Sequence, residues 1–192
     1  MNTIAEALAD VNYAFRHLEF AIRLMCYCES CHLDLPNLDT DVCILFEQEN
    51  VGFPSGTFAT IEAVVPATQA LVSMAFGTSA MVLDAAFEMA GLKRKPHSRQ
   101  PEDELRTLVF MVRCAFAHNP ALPLWKARGN EYARMLSLPI GGATLSIDLA
   151  SLHGQPFEHD HIGGFASWLR IRAASEALIR ERDAQPVIPA DA

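Results

Sequence analysis

The chain has 192 residues, of which 51% are apolar, so it is long enough to bury one sizeable core and we expect a single domain. Its formal net charge of -8 disfavours unspecific adhesion to nucleic acid or to an anionic membrane, because the average field repels phosphate. Five cysteines, an odd number, without a basic leader and apolar stretch argue against a disulfide framework and predict a cytoplasmic protein.

The first predicted element is a long amphipathic helix in the first thirty residues. Its apolar residues alternate at spacings of four and three, which places them on one stripe of a helix. The stripe consists of Ile4, Leu8, Val11, Phe15, Leu18, Ile22 and Met25.

The next region combines an ambiguous segment with a clear helix prediction. Glycines and prolines punctuate residues 32–65, and residues 42–48 fit either a short helix or a strand. From about Pro66 to Ala90 we predict a second helix, with Gly91 as its left-handed end and Gly77 as a candidate bend.

Part of this second helix has the length of a membrane span. Residues 63–83 are 21 residues without a formal charge. Polar side chains and Pro66 lie inside the segment, and such groups are hard to satisfy in hydrocarbon. The composition therefore favours a buried central helix and no membrane association.

A basic connector leads into the third predicted helix. The basic residues of the connector, which spans 93–99, are Lys93, Arg94, Lys95 and Arg99. Pro101 and three acids then open the helix, and the acids complement the positive end of its dipole. Asn119-Pro120 ends it, because the residue before a proline avoids helical geometry.

The third helix is apolar on two sides. Leu105, Val109 and Phe116 share a face that must look into the core. Phe110, Met111 and Cys114 lie on the opposite side. The helix therefore needs cover from two directions, either as a central helix of the monomer or with a second subunit on its back.

The last third of the chain predicts a β-hairpin and a closing helix. Residues 132–140 and 144–149 alternate with a period of two around Gly141-Gly142, and Pro139 indicates an edge strand. Asp160 is a candidate cap for a helix from about 161 to 181. We expect a mainly α bundle with a small antiparallel hairpin before its last helix, as one domain over 1–182, and a disordered tail over 183–192.

The third helix closes with Arg113-Cys114-Ala115-Phe116-Ala117-His118-Asn119-Pro120. This stretch resembles the Arg-x4-6-His signature of the HEPN superfamily (higher eukaryotes and prokaryotes nucleotide-binding), and the predicted order of elements fits that resemblance. The resemblance implies a metal-independent endoribonuclease without a cofactor, which acts as a homodimer with two such helices around one cleft. It also implies a toxin or effector in a defence or stress system, with a protein antitoxin or regulator as a further partner.

The resemblance implies a role for each residue of the pair. Arg113 would stabilise charge on the phosphate, and His118 would do acid-base work or orient the phosphate, leaving a 2′,3′-cyclic phosphate. On an ideal helix the two side chains point about 140° apart. Either local unwinding before Asn119 or the pairs of two subunits would therefore be needed to bring them together.

One position departs from the family pattern. Many active members carry a polar residue directly after the arginine, whereas this chain has Cys114, and a thiol is a weak hydrogen-bond partner. Asn119 is a candidate substitute. The departure leaves open a catalytically silent HEPN-like module that binds a protein or a nucleotide.

Local positive charge supplies candidate RNA contacts in an otherwise acidic chain. Arg99, Arg106 and Arg113 are spaced by seven, which predicts a basic stripe that continues the connector with Lys93, Arg94 and Lys95 toward Arg113. The resemblance implies RNA rather than DNA as the substrate. The alternative is a solvated linker whose lysines follow a helix C-terminus.

Two clusters invite a metal prediction. Cys26, Cys28, Cys31 and His32 are dense, but helical geometry separates them, so we interpret the cysteines as buried small hydrophobes. His153 and the 158–161 run form a second cluster and keep open a metal-dependent enzyme as a further alternative.

Overall fold

Six α-helices carry most of the chain. The computed structural model describes residues 3–45, 47 and 49–184. Within them the helices are α1 (Ile4–Glu29), α2 (Leu35–Leu38), α3 (Ile61–Met89), α4 (Pro101–Phe116), α5 (Leu149–Leu152) and α6 (Gly164–Ala184). The strands form two antiparallel hairpins, β1 (Val42–Leu45) with β2 (Asn50–Phe53) and β3 (Met135–Ile140) with β4 (Ala143–Asp148). The predicted mainly α class is confirmed.

Helix α1 begins with a reciprocal cap and follows the predicted stripe. The Thr3 hydroxyl accepts from the Glu6 amide, and the Glu6 carboxylate accepts from the Thr3 amide, so two amides of the first turn are satisfied. Val11, Phe15 and Leu18 are buried in the main core, where α1 packs along α3. The predicted amphipathic helix is confirmed.

Helix α3 runs through the core and begins earlier than predicted. It starts at Ile61 rather than near Pro66. Pro66 therefore lies inside the helix, where it has no amide hydrogen to donate and one helical hydrogen bond is not formed. It ends where predicted, since Gly91 has a φ of 69°. In the described part of the chain α3 is the one helix long and apolar enough to cross a membrane. Phe76 and Phe87 on this helix are fully buried, as expected of a core helix.

Gly77 brings α3 and α4 into close approach. An ideal Cβ built at Gly77 would lie 2.7 Å from Cδ1 of Phe116, closer than carbon atoms can pack. The glycine therefore makes room for the Phe116 ring, which also contacts the ring of Phe76 at 5.5 Å between centroids. Gly77, which the sequence suggested as a possible bend, instead allows α3 and α4 to pack closely.

Helix α4 is covered on both sides by its own chain. It packs against α3, α6 and β3, and Met111 is only 1% exposed. The Phe110 ring lies under the Arg94 guanidinium at 4.1 Å and beside the Tyr132 ring at 5.5 Å. Both apolar faces of α4 are thus covered within the monomer, so they do not by themselves require a second subunit.

The β3–β4 hairpin matches its prediction closely. Gly141 and Gly142 both have positive φ, as a two-residue turn between paired strands requires. Leu136, Leu138 and Ile140 are buried, while Pro139 pairs with Thr144 in a sheet of two strands and so lies at an edge.

The prediction for the start of the last helix was wrong by about three residues. His159–Ile162 form a 3-10 turn, and Gly163 and Gly164 follow with positive φ, so Asp160 lies within that turn instead of capping α6. The left-handed glycines redirect the chain before the helix can begin. Helix α6 includes Asp183 and Ala184, and the rest of the predicted tail, 185–192, lies outside the described residues.

The ambiguous region 32–65 contains α2 and the β1–β2 hairpin. Residues 42–45 form a strand, so the strand alternative is correct there. Two aspartates anchor the hairpin: Asp41 accepts from the Ser55 amide at 2.7 Å, and Asp39 accepts from the amides of Gly56 and Phe58. These bonds fix the segment although its residues are mostly exposed.

Candidate functional site

Arg113 lies in the last turn of α4 and faces α3. Its Nε is 3.9 Å from the Asp84 carboxylate, and 42% of its side chain is exposed. It borders an open groove of about 510 Å³, and the lining residues are Met81, Asp84, Ala85, Glu88, Met89 and Arg113. The guanidinium is thus accessible from outside, but an acid of its own chain stands beside it.

Arg106 forms ion pairs with both acids that line this groove. Its side chain is 2% exposed and pairs with Asp84 and Glu88, and its Nε donates to the Leu92 carbonyl at 3.1 Å. The predicted exposed stripe from Arg99 through Arg106 to Arg113 is therefore interrupted, because a buried, doubly paired guanidinium is not accessible to RNA. Arg106 instead positions Asp84, which it shares with Arg113.

Cys114 provides little polarity next to Arg113. Burial raises the pKa of its thiol, and the adjacent Arg113 guanidinium opposes this only in part. A neutral, half-buried thiol is a weak hydrogen-bond partner. The position that is polar in many active HEPN members is therefore suited here to packing.

His118 lies beyond the end of α4 and apart from Arg113. The helix ends at Phe116 with Ala117 as its C-cap, and His118 is exposed. Among the described residues it makes no hydrogen bond, ion pair or ring contact, with Arg113 or any other residue. In one protomer the predicted pair is thus not assembled.

Asn119 serves the turn that follows the helix. Its Oδ1 accepts from the amides of Ala121 and Leu122, each at 3.2 Å. Because this oxygen is engaged locally, the structure gives no support to Asn119 as a substitute for the missing polar residue after Arg113. The same turn is tied to α3, where the Ser73 hydroxyl donates to the Pro120 carbonyl at 2.7 Å.

The basic connector is largely neutralised by acids of the same chain. Each of three basic side chains lies 3.6 Å from a carboxylate. The pairs are Arg94 with Glu88, Lys95 with Asp103, and Arg99 with Glu104. All three basic side chains are at least one-third exposed, so they remain accessible. Glu88 and Glu104 also pair with Arg106 and Arg134, so the connector keeps some excess positive charge.

Arg134 fixes the path of the connector and was missed in the sequence as a functional residue. It donates to the carbonyls of Pro96 and Ser98 and forms a buried ion pair with Glu104 at 2.8 Å. The other oxygen of Glu104 accepts from the Ser137 amide. The sequence does contain a signal for it: Arg134 is two residues before the buried Leu136 in the alternating pattern, so its side chain is expected on the buried face, where an unpaired charge is costly.

Two of the three histidines of the 153–161 region, His159 and His161, are held in contacts of the fold, while His153 is exposed. Nδ1 of His161 accepts from the Trp125 indole at 3.0 Å and from the Glu158 amide at 3.1 Å, while the His159 ring stacks on Phe165. Burial lowers the pKa of His159. In residues 3–45, 47 and 49–184 no group of three metal-binding side chains comes together, so this arrangement does not support the metal alternative.

The cysteine prediction is correct at one position of three. Cys28 is buried and burial raises the pKa of its thiol, as expected of a small core residue. Cys26 and Cys31 are exposed free thiols, so the buried interpretation was wrong for them. Cys31 follows the end of α1 with a φ of 55°, where the chain turns outward.

The site thus consists of one accessible guanidinium beside a shared carboxylate and one exposed imidazole at the end of the same helix. A guanidinium can bind a phosphate oxygen, and an imidazole can act as a general acid or base. Comparisons of this chain with protein-family models, with curated proteins and with solved structures found no match.

Proposed function

We propose that this protein is a cytoplasmic, metal-independent endoribonuclease that acts as a homodimer, with Arg113 and His118 of two protomers in one composite site. The observation that supports the proposal is the accessible Arg113 on an open groove, with an exposed His118 at the end of the same helix. Because one protomer keeps the two side chains out of contact, a second copy must supply the missing partner. The resemblance adds the setting, a toxin or effector controlled by a protein regulator.

The proposed chemistry uses only groups of the protein and the RNA. A 2′-hydroxyl attacks the adjacent phosphorus as His118 of one protomer accepts its proton. The bond from phosphorus to the 5′-oxygen breaks, the protonated His118 imidazole returns its proton to that oxygen, and a 2′,3′-cyclic phosphate and a 5′-hydroxyl remain. The Arg113 guanidinium stabilises the charge on the equatorial oxygens.

Cleavage of mixed RNA in excess chelator tests the proposal. We expect the intact protein to cleave, and Arg113→Ala and His118→Ala each to reduce the rate by at least about a hundredfold, which is typical of losing one acid-base or charge-stabilising group. Matched controls are Arg128→Ala and His153→Ala, since both side chains are exposed and outside the proposed site. Cleavage that requires added metal, or that survives either site substitution, would contradict the proposal.

Mixing the two inactive variants tests the composite site directly. If each site takes its arginine from one protomer and its histidine from the other, random exchange of subunits makes half of the dimers mixed, and each mixed dimer has one intact site. We expect recovery of about a quarter of the original rate. A mixture that stays inactive after demonstrated subunit exchange would show that both residues of a site come from one chain.

A second candidate function is a catalytically silent module that binds a protein or a nucleotide. Asp84 beside Arg113 reduces the positive charge available to stabilise a transition state, and the neutral Cys114 thiol offers no strong hydrogen bond, so both disfavour cleavage. This function predicts no cleavage under any condition together with measurable binding of a labelled nucleotide or oligonucleotide that Arg113→Ala weakens. Fluorescence anisotropy distinguishes it from an inert protein.

A further inference from the structure

Helix α1 carries a second apolar stripe on the side that faces away from the core. Tyr13, Phe20 and Tyr27 are spaced by seven and are 66%, 61% and 50% exposed. His17 and Leu24 fill the positions between them, so the spacing alternates between four and three. This is the spacing of a seam that packs against another helix.

A groove between α1 and α6 adjoins this outward seam. It has a volume of about 550 Å³, and Phe15, Ile22 and Trp168 contribute apolar surface to it. Leu169 on α6 also lines it and is an exposed large hydrophobic residue. The seam extends about 20 Å along α1, the length of fourteen helical residues, and Arg16, Glu19 and Arg23 of the same helix line the near side of the groove. The seam and the groove together are called the strip.

The edge of this strip is positively charged in an acidic protein. Arg16, Arg23 and Arg172 line the groove. Two of them are paired, Arg23 with Glu19 at 2.6 Å and Arg172 with Glu176 at 2.7 Å, while Arg16 forms no ion pair among the described residues. The edge therefore has an excess of positive charge, although the chain as a whole carries -8.

We propose that the outward seam of α1 and the adjoining groove bind an amphipathic helix of a partner protein, with acidic residues of that helix facing Arg16 and Arg23. Large apolar side chains of the partner pack on Tyr13, Phe20 and Tyr27, and one of them enters the groove beside Leu169. The proposal is independent of the Arg113 and His118 site.

The size and charge of the surface select this occupant. A small ligand fills a pocket of this volume but leaves a 20 Å seam exposed, whereas a helix covers both. Antiparallel pairing with a second copy would set the edge of Arg16 and Arg23 against itself, which costs electrostatic energy. An acidic helix neutralises the same edge.

Two designed peptides test the proposal. Both are 21 residues long and share a leucine seam in heptad spacing, and one carries glutamates at the flanking positions while the other carries lysines. Fluorescence anisotropy of each labelled peptide, titrated with the full chain at low salt, is expected to show at least about tenfold tighter binding of the acidic peptide, because charge at the edge of an interface selects the partner. Added salt should reduce this preference.

Two variants and a matched control define the surface. Phe20→Glu is expected to weaken acidic-peptide binding at least about tenfold, and Arg16→Glu to abolish the preference for the acidic peptide. Met135→Glu is the control, since Met135 is equally apolar and exposed but lies on β3, which packs on α4 and α6. Circular dichroism confirms that each variant is folded.

Three results would overturn the proposal. Neither peptide binds, both bind equally, or Met135→Glu weakens binding as much as Phe20→Glu does. A dimer of the intact chain that Phe20→Glu converts to monomer would instead identify the seam as a contact between copies, and would equally overturn a partner helix at this surface.

Discussion

At the scale of single residues, His159 is a titratable side chain that packs among aromatic rings. Its ring lies 4.2 Å from the Phe165 ring and 4.8 Å from the Phe76 ring, and its Nε2 is buried without a hydrogen bond in the described structure. Burial in this aromatic surrounding lowers its pKa, and the neighbouring Asp160 offsets the effect only in part. The folded state therefore favours the neutral imidazole.

Stability should fall in mild acid because of His159. The unfolded chain takes up the proton near the ordinary histidine pKa of about 6.5, whereas the folded chain takes it up only at lower pH. The unfolded state thus binds more protons between these two values, and stability decreases as the pH drops below about 6.5. His159→Phe removes this contribution, so its melting temperature should change less between pH 7 and pH 5, as measured by circular dichroism.

The control for this prediction is His153→Phe, because His153 is exposed and lies outside the aromatic surrounding of His159. It should keep the pH dependence of the unmodified chain. Equal acid sensitivity in His159→Phe and the unmodified chain would show that other groups cause it.

At the scale of elements, a buried ion pair joins the start of α4 to the β3–β4 hairpin. Glu104 in the first turn of α4 bonds to Arg134 and to the Ser137 amide, and Arg134 also binds two carbonyls of the 93–99 connector. Three separate segments are therefore held by two side chains. The connector keeps its path because the hairpin holds it.

Arg134→Ala should destabilise the fold by about 3–5 kcal/mol, because it leaves the Glu104 carboxylate buried without its main partner. It should also release the connector, so that trypsin cleaves after Lys93, Arg94 or Arg99 faster than in the unmodified chain. Urea unfolding measures the first effect and limited proteolysis under native conditions the second.

Arg128→Ala serves as the comparison for this change, since Arg128 is an exposed arginine outside the ion pair. We expect no more than about 0.5 kcal/mol from it. Unchanged proteolysis of the connector in Arg134→Ala would mean that the hairpin does not hold it.

Elements with a strong period were predicted well, and contacts between distant segments were not. The stripe of α1 and the alternation around Gly141-Gly142 depend on local geometry, so the sequence alone suffices for them. The start of α6 was wrong because Gly163 and Gly164 adopt positive φ, a choice that tertiary packing makes. Cover of α4 from both sides likewise depends on Tyr132 and Arg94, which no period places near Phe110.

The residue types of the candidate site can be named from the sequence, whereas their arrangement cannot. The sequence identified Arg113 and His118, yet the pairing of Asp84 with both Arg106 and Arg113 joins two helices and carries no local signal. For the same reason the sequence could not distinguish an exposed basic stripe from one interrupted by a buried Arg106.

At the scale of the whole molecule, the groove beside Arg113 is also an apolar surface. Met81 and Met89 line it, and each of these residues is about 40% exposed. Methionine surfaces of this kind adapt readily to a partner. A two-fold axis near this groove would bury them and bring two Arg113 side chains toward the partner's helix ends.

Met81→Glu should therefore separate the proposed dimer into monomers and abolish RNA cleavage, since the new charge would be buried in the interface. Each protomer should stay folded, because Met81 is exposed in a single protomer. Sedimentation velocity and the cleavage assay measure the two effects. Met135→Glu should change neither. An intact chain that is monomeric at micromolar concentration, or a monomeric Met81→Glu that still cleaves RNA, would contradict a composite site.

The absence of a side chain at Gly77 has a consequence for the charge at Arg113. Phe116 follows Arg113 by three residues on α4, and Asp84 follows Gly77 by seven on α3, so the ring against the glycine sets how near the guanidinium and the carboxylate can come. If the groove binds phosphate as proposed, its affinity would thereby depend on a contact without any polar atom. Substitutions among the apolar side chains at that helix crossing would change this affinity while Arg113 and Asp84 stay the same.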